Sequence, residues 1–193
     1  MTRLAASERR AALLDTASRT FSQGSYRGTT TAEIAREAGI SEPILYRHFA
    51  SKRDLYLACV EDMWTRVRAG WEEALTAEPD QSACLTAMGR SFQQQKTALS
   101  NLWVQALAEA SEDPEIRKYL RRHLREVHRF VVGVIRRAQA SGAFAADRDA
   151  DAEAWMFISL GLLGAVGRWL GGLAEDDFER IRASRRRWLT GLD

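Results

Sequence analysis

The sequence predicts an all-α protein, with a small N-terminal three-helix head that carries a helix-turn-helix and a C-terminal bundle of longer helices. Three observations lead there. Apolar residues recur at helical spacing through most of the 193 residues. Only three prolines interrupt them, and no long β-branched alternation suggests a sheet. Glycines and capping residues punctuate the pattern where helices should start and stop.

The elements follow in order. "SERRAALLDTASRTFSQG" places Ala12, Leu13, Ala17 and Phe21 at helical spacing. Ser7 is its expected N-cap, and Gly24 its expected left-handed stop. "TTAEIAREAGI" is a short second helix in which Thr30 and Glu33 have the spacing of a capping box, closed by Gly39. "SEPILYRHF" is the third helix and "SKRDLYLACVEDMWTRVRAGWEEAL" a long fourth. Past Pro79 a helix is expected over Gln81–Leu99, continued or restarted over Leu102–Ala110. Pro114 opens a long helix with the stripe Ile116, Leu120, Val127, Val131 and Val134, stopped by Gly142. Helices over about 149–171 and 175–189 complete the chain. The functional boundary is expected near residue 50, giving a head over 1–50 and a body over 51–193.

Composition excludes several classes. With 46% apolar and 28% charged residues, the chain reads as globular rather than disordered. The net charge of +2 is small. Its distribution is more informative, with nine basic against six acidic side chains up to Val60. A mildly basic head suits a polyanionic partner. Cys59 and Cys84 lack metal-ligand spacing and read as buried thiols in a reducing cytoplasm. The N-terminus has no signal-peptide core. The longest apolar run, Ala154–Gly167, is shorter than a membrane span and reads as a buried helix. In "HLREVH", His123 and Glu126 share a helix face and His128 lies off it, so no metal site is expected. No nucleophile–base pair or phosphate loop suggests an enzyme, and no cofactor is expected.

The most informative stretch is "GISEPILYRHFASK", Gly39–Lys52. A helix-turn-helix packs two helices steeply across a tight turn. The first helix needs a small contact residue, supplied by Ala35. The turn needs a residue that tolerates positive φ, supplied by Gly39. The second helix needs an apolar residue facing back, supplied by Leu45. Ile34, Ile40 and Phe49 complete a miniature core. With Ser41 as N-cap, Glu42 and Pro43 fall in the first turn, where proline is tolerated, and the Ser41 hydroxyl is expected to accept from the Ile44 N–H. Glu42, Pro43, Tyr46 and Arg47 then point outward, flanked by Ile44 and His48.

On "RTFSQGSY" and "TTTAEIAREAGISEPILYRHFASKRDLY" the chain resembles the tetracycline-repressor (TetR) family of bacterial transcription regulators, over roughly Arg9–Leu57. The resemblance implies a homodimer binding a double-stranded, pseudo-palindromic operator, and release by a small-molecule effector. Thr30 and Thr31 would contact phosphate. Tyr46, His48 and Lys52 would contact phosphate or flanking bases. Ser41 belongs to the same surface, and Glu42, Pro43, Ile44 and Arg47 would face base edges. Arg47 suits guanine O6 and N7, Glu42 suits cytosine N4, and Pro43 or Ile44 a thymine methyl. Glu42 near phosphate needs a partner, for which Arg47 or Lys52 is expected. Lys52 is also expected to cap the fourth helix. Ala32 stands where some members carry a long polar residue.

For the body, the resemblance implies a pocket and a four-helix dimer interface. Met63, Val67, Trp71, Phe92 and Trp103 are the candidates for the pocket, suited to an apolar or aromatic effector. Trp155, Leu162, Val166, Trp169, Leu170 and Trp188 are the candidates for the interface, in a region where Gly161, Gly164, Ala165 and Gly167 permit close helix approach. The arginines over 117–129 and in "SRRR", 184–187, read as solvated faces. The rival reading is an effector-independent architectural DNA binder. The expected location is the bacterial cytoplasm.

Overall fold

A computed structural model describes residues 6–94 and 97–191. The described residues form nine α-helices and two short 3-10 turns. The helices are α1 Ala6–Gln23, α2 Thr31–Glu37, α3 Glu42–His48, α4 Lys52–Ala77, α5 Cys84–Gln94, α6 Thr97–Glu109, α7 Pro114–Ala140, α8 Ala150–Trp169 and α9 Phe178–Thr190. The all-α expectation therefore holds. The helix expected over Gln81–Leu99 opens as a 3-10 turn over Gln81–Ala83 and continues as α5; it crosses residues 95 and 96, which lie outside the described ones, and α6 covers Thr97–Glu109.

The chain packs as two compact units. The first combines Met1–Thr65 with Thr97–Leu120, the second Arg66–Lys96 with Arg121–Asp193. Helices α4 and α7 each run through both. Grouping α6 with the first three helices was not foreseen.

In the first unit, α1 packs on α6 and α2, and α2 on α3. Leu13, Leu14, Ala17 and Phe21 form the buried stripe of α1, joined by Ile34, Ala35, Leu45, Phe49, Leu55, Tyr56, Val60, Leu102 and Ile116. Ala12, expected in that stripe, is exposed, because the buried face runs through Leu14 instead. Tyr56 meets Phe21 edge-on at 5.0 Å, and its hydroxyl donates to the Leu102 carbonyl at 3.1 Å. That bond satisfies a phenol held in apolar surroundings, where burial drives its pKa upward. Gln105 Nε2 donates to the Gly24 carbonyl at 2.9 Å, tying α6 to the end of α1.

Two further expectations about α1 fail. The helix is under way before Ser7, so Ser7 is not its cap. Gly24 does not adopt the left-handed conformation. Its need for glycine is spatial, since a Cβ there would sit 2.8 Å from Thr29 Oγ1. Gly142, by contrast, has the expected positive φ of 77° just past α7.

In the second unit, α5 packs on α8, and the 3-10 turn Gln81–Ala83 on α5 and α9. The α7 stripe is buried as expected at Val127, Val131 and Val134, and in the first unit at Ile116 and Leu120. Cys84 is buried here and Cys59 in the first unit. Asp149 caps α8 by accepting from the Asp151 and Ala152 N–H groups. The expectation that Ala154–Gly167 is buried holds for one face only. Ala154, Gly164, Ala165 and Gly167 are buried, while Trp155 and Met156 are exposed. By length and composition alone α8 could cross a membrane. Its first turn nevertheless buries Glu153, whose carboxylate pairs with Arg185 and accepts from Trp188 Nε1 at 2.9 Å. Gly164 and Gly167 serve contacts inside this unit, with a Cβ on them meeting Phe178 at 3.3 Å and the Leu173 carbonyl at 2.4 Å.

Candidate nucleic-acid interface

The candidate interface is carried by two short helices, α2 and α3. Thr30, in extended conformation, accepts from the Glu33 N–H at 3.1 Å, and its own N–H donates to Glu33 Oε2 at 2.8 Å. This is the capping box the sequence predicts. The Thr30 N–H, and then its hydroxyl, hold the Glu33 carboxyl below its ordinary pKa. At the other end of α2, Gly39 N–H reaches the Arg36 carbonyl at 3.1 Å and Ile40 N–H the Ala35 carbonyl at 3.0 Å. With Gly39 at φ 67° this is a Schellman closure, and Ile40 packs back against the core.

Helix α3 begins differently from expectation. Ser41 is the N-cap residue, but its hydroxyl makes no capping bond. Its carbonyl accepts from the Ile44 N–H at 2.9 Å and the Leu45 N–H at 3.2 Å. Pro43 has no N–H, and Ile44 is already served, so the hydroxyl has little left to cap. Leu45 is fully buried and Phe49 nearly so, with the Arg10 guanidinium lying 5.0 Å from the centre of the Phe49 ring. Helix α4 is capped by Ser51, whose Oγ accepts from the Asp54 N–H at 3.0 Å, and not by Lys52.

With the inner face fixed, the outer face is defined. Pro43, Ile44, Tyr46 and Arg47 are exposed, as are Thr30 and Ser41. Glu42, His48 and Lys52 are half-buried and Thr31 is buried. Arg47 makes no ion pair among the described residues. Glu42 is not paired with Arg47 or Lys52 as expected. Its Oε1 accepts from the Thr31 hydroxyl at 2.5 Å, and Thr31 Oγ1 lies 3.1 Å from the Tyr46 hydroxyl. Lys52 turns toward its own chain instead, with Nζ 4.8 Å from the Tyr26 ring centre and 3.4 Å from the Arg27 carbonyl. Burial there lowers its pKa, against the opposing pull of Glu109 and Glu33. Sequence reasoning missed the Thr31–Glu42–Tyr46 chain because it joins two helices across the turn.

The candidates for the body's pocket fall in both units. Met63 is buried in the core of the first, and Trp103 packs against that core. In the second, Val67 and Trp71 are buried. Trp71 stacks on Phe130 at 5.8 Å and meets Phe157 edge-on at 5.7 Å, while Phe92 lies under the Arg168 guanidinium. A separate open groove of about 310 Å³ in the first unit is lined by Tyr26, Arg27, Arg53, Glu109, Glu112 and Asp113. Ion pairs of Arg27 with Glu109 and Glu112, and of Arg53 with Asp113, fill it with mutually satisfied charge. Of the interface candidates, Trp155, Trp169, Leu170 and Trp188 are exposed, and Leu162 and Val166 half-buried. "SRRR" is not simply solvated. Arg185 pairs with the buried Glu153, and Arg186 with Asp80 and Ser82.

Comparison with known proteins agrees with this geometry. Residues 13–59 match bacterial regulatory proteins of the tetR family. Residues 77–193 match the C-terminal domain of BetI-type transcriptional repressors. The transcriptional activator FasR of Mycolicibacterium smegmatis is 39% identical over 90 residues, covering 47% of this chain and 41% of that protein. The regulator BetI of Brucella suis is 26% identical over 162 residues, covering 82% of this chain and 81% of that protein. Among solved structures, a TetR-family regulator from Rhodococcus sp. superposes with a TM-score of 0.83 at 25% identity, covering 95% of this chain and 99% of that one. A regulator from Saccharomonospora viridis, solved in complex with choline, has a TM-score of 0.75 at 22% identity over 92% of this chain and 95% of that one, a likeness of fold. A helix-turn-helix of tetR type joined to a body of BetI type makes this chain a member of the TetR family of bacterial transcription regulators.

Proposed function

We propose that the protein is a homodimeric repressor of the bacterial cytoplasm that binds a pseudo-palindromic operator and leaves it when a small apolar or aromatic effector binds. In this reading residues 1–50 are the DNA-binding head, and residues 51–193 bind the effector and hold the dimer. The observation that carries it is the outer face of α3. Pro43, Ile44, Tyr46 and Arg47 stand exposed on a helix that carries a proline in its first turn and whose Ser41 carbonyl accepts from the Ile44 and Leu45 N–H groups. A recognition helix presents such a face at its N-terminal end to the major groove. Arg47, with no ion-pair partner among the described residues, is available for a bidentate contact to guanine. Thr30 and Thr31 would contact the DNA backbone, and Tyr46, His48 and Lys52 the backbone or flanking bases.

The match of the body to BetI-type repressors supports repression. The choline complex of the Saccharomonospora protein supports a small-molecule site in a body of this fold. Of the candidates, Val67, Trp71 and Phe92, all in the second unit, would line that site. Helix α4 supplies residues to both units and is the element through which an effector would act. An effector works by binding the released conformation better, since equal affinity for both states shifts nothing.

The test is selection from random duplex DNA by the purified protein near physiological salt. A palindrome with half-sites one helical turn apart, or a multiple of it, is the expected result. Uniform recovery without a motif overturns the reading and favours an architectural binder.

A further inference from the structure

Three polar side chains meet where α2 and α3 pack together. Thr31 opens α2, Glu42 opens α3, and Tyr46 lies one turn further along α3. Thr31 Oγ1 lies 2.5 Å from Glu42 Oε1 and 3.1 Å from the Tyr46 hydroxyl. The hydrogens in this chain can be assigned by counting. A carboxylate only accepts, so the single hydroxyl hydrogen of Thr31 goes to Glu42. Thr31 then offers Tyr46 only lone pairs, so the phenolic hydrogen points at Thr31. Both hydroxyl hydrogens are spent inside the protein, and both run toward Glu42. A DNA phosphate diester accepts hydrogen bonds and has none to donate. While Glu42 holds the chain, neither hydroxyl has a hydrogen for the DNA backbone.

We infer that Glu42 is a specificity-determining lock, which couples the base it faces to the backbone contacts of Thr31 and Tyr46. This rests on α3 being the helix that reads DNA. The carboxylate gives up Thr31 only when another donor replaces it. In the major groove the replacement donors are the exocyclic amines, cytosine N4 and adenine N6. With such a base opposite, Glu42 accepts from it, and the Thr31 and Tyr46 hydrogens turn to phosphate. With the acceptor edge of guanine or thymine opposite, acceptor faces acceptor and the lock stays closed. Neither Arg47 nor Lys52 pairs with Glu42, so no cation substitutes for the amine.

The experiment is the same DNA selection, run with the wild type, Glu42→Ala, Thr31→Val and Thr31→Ser. The wild type is expected to fix cytosine or adenine at one position per half-site, preferred over guanine and thymine by roughly 5- to 150-fold, the size of one good base contact. Glu42→Ala should lose that preference alone and keep the rest of the motif. Thr31→Val should shrink it, because a wrong base no longer costs a backbone contact, and Thr31→Ser should restore it. A wild type that selects no motif at all removes the reading of α3 itself. A wild-type motif that Glu42→Ala reproduces unchanged overturns the lock. Full wild-type preference in Thr31→Val overturns the coupling.

Discussion

Two glycines flank the head's helices, and they are glycine for opposite reasons. Gly39 has φ 67° and open space where a Cβ would stand. Gly24 lacks positive φ, but a Cβ would collide with Thr29 Oγ1 at 2.8 Å and press on the Thr20 carbonyl at 3.4 Å. Gly39→Ala should cost about 1 kcal/mol, the cost of placing an L-residue in the left-handed region, and Gly39→Asn less, since asparagine tolerates that region. Gly24→Ala should cost about 1–3 kcal/mol by overpacking, and Gly24→Asn at least as much. Urea unfolding of the four variants checks this, and a milder effect of asparagine at Gly24 than of alanine would contradict the steric account. Gly39 was legible in the sequence because a Schellman closure is local. Gly24 was not, because its reason is the hydroxyl of Thr29 folding back across the turn. Arg185 and Arg186 were misread for the same kind of reason. Arg186 pairs with Asp80, 106 residues away, and spacing along a helix carries no information about such a partner.

At the scale of the element, α2 and α3 are each only seven residues long and depend on their ends. The capping box of α2 makes that dependence sensitive to acid. Glu33 is held below the ordinary glutamate value of 4.5 by bonds from the Thr30 N–H and hydroxyl. A depressed carboxyl contributes its stabilisation fully above the unfolded pKa and loses it as pH falls through the folded one. The start of α2 should therefore weaken below about pH 4.5. Glu33→Gln keeps an acceptor for the Thr30 N–H but removes the titration. Its urea midpoint should fall less steeply with acid than that of the wild type, and parallel acid limbs would count against the box as the source. The short helices were legible because caps, turn and core residues lie within a few positions of one another. The joining of α6 to the head was not. It rests on Gln105 meeting the Gly24 carbonyl and Tyr56 the Leu102 carbonyl, contacts that only the folded chain brings together.

At the scale of the whole molecule, what remains is an outward face on α8. Trp155, Met156, Leu162, Val166, Trp169 and Leu170 follow the three- and four-residue spacing that puts them on one side of the helix. Trp155 is 46% exposed, Trp169 56% and Leu170 63%. A monomer seldom leaves so long an apolar stripe to water, and the usual reason is a partner. Trp188 on α9 adds a rigid anchor. Its indole N–H is satisfied by Glu153 and one ring face is covered by the Arg148 guanidinium at 3.9 Å, yet the side chain remains half exposed. Aromatic side chains held in place in this way are typical centres of protein–protein interfaces. The proposed occupant is a second copy, whose identical face makes the contact self-complementary. Trp169→Arg puts an unpaired charge into that contact on both subunits at once. The variant should sediment as a monomer at concentrations where the wild type is a dimer. Its melting temperature should lose the concentration dependence that dimerisation imposes. Affinity for a palindromic operator should fall, since two heads no longer bind as one unit, while far-UV circular dichroism stays helical because Trp169 is not part of the buried core. A wild type that remains monomeric, or a Trp169→Arg protein that still sediments as a dimer, would rule this face out as the interface.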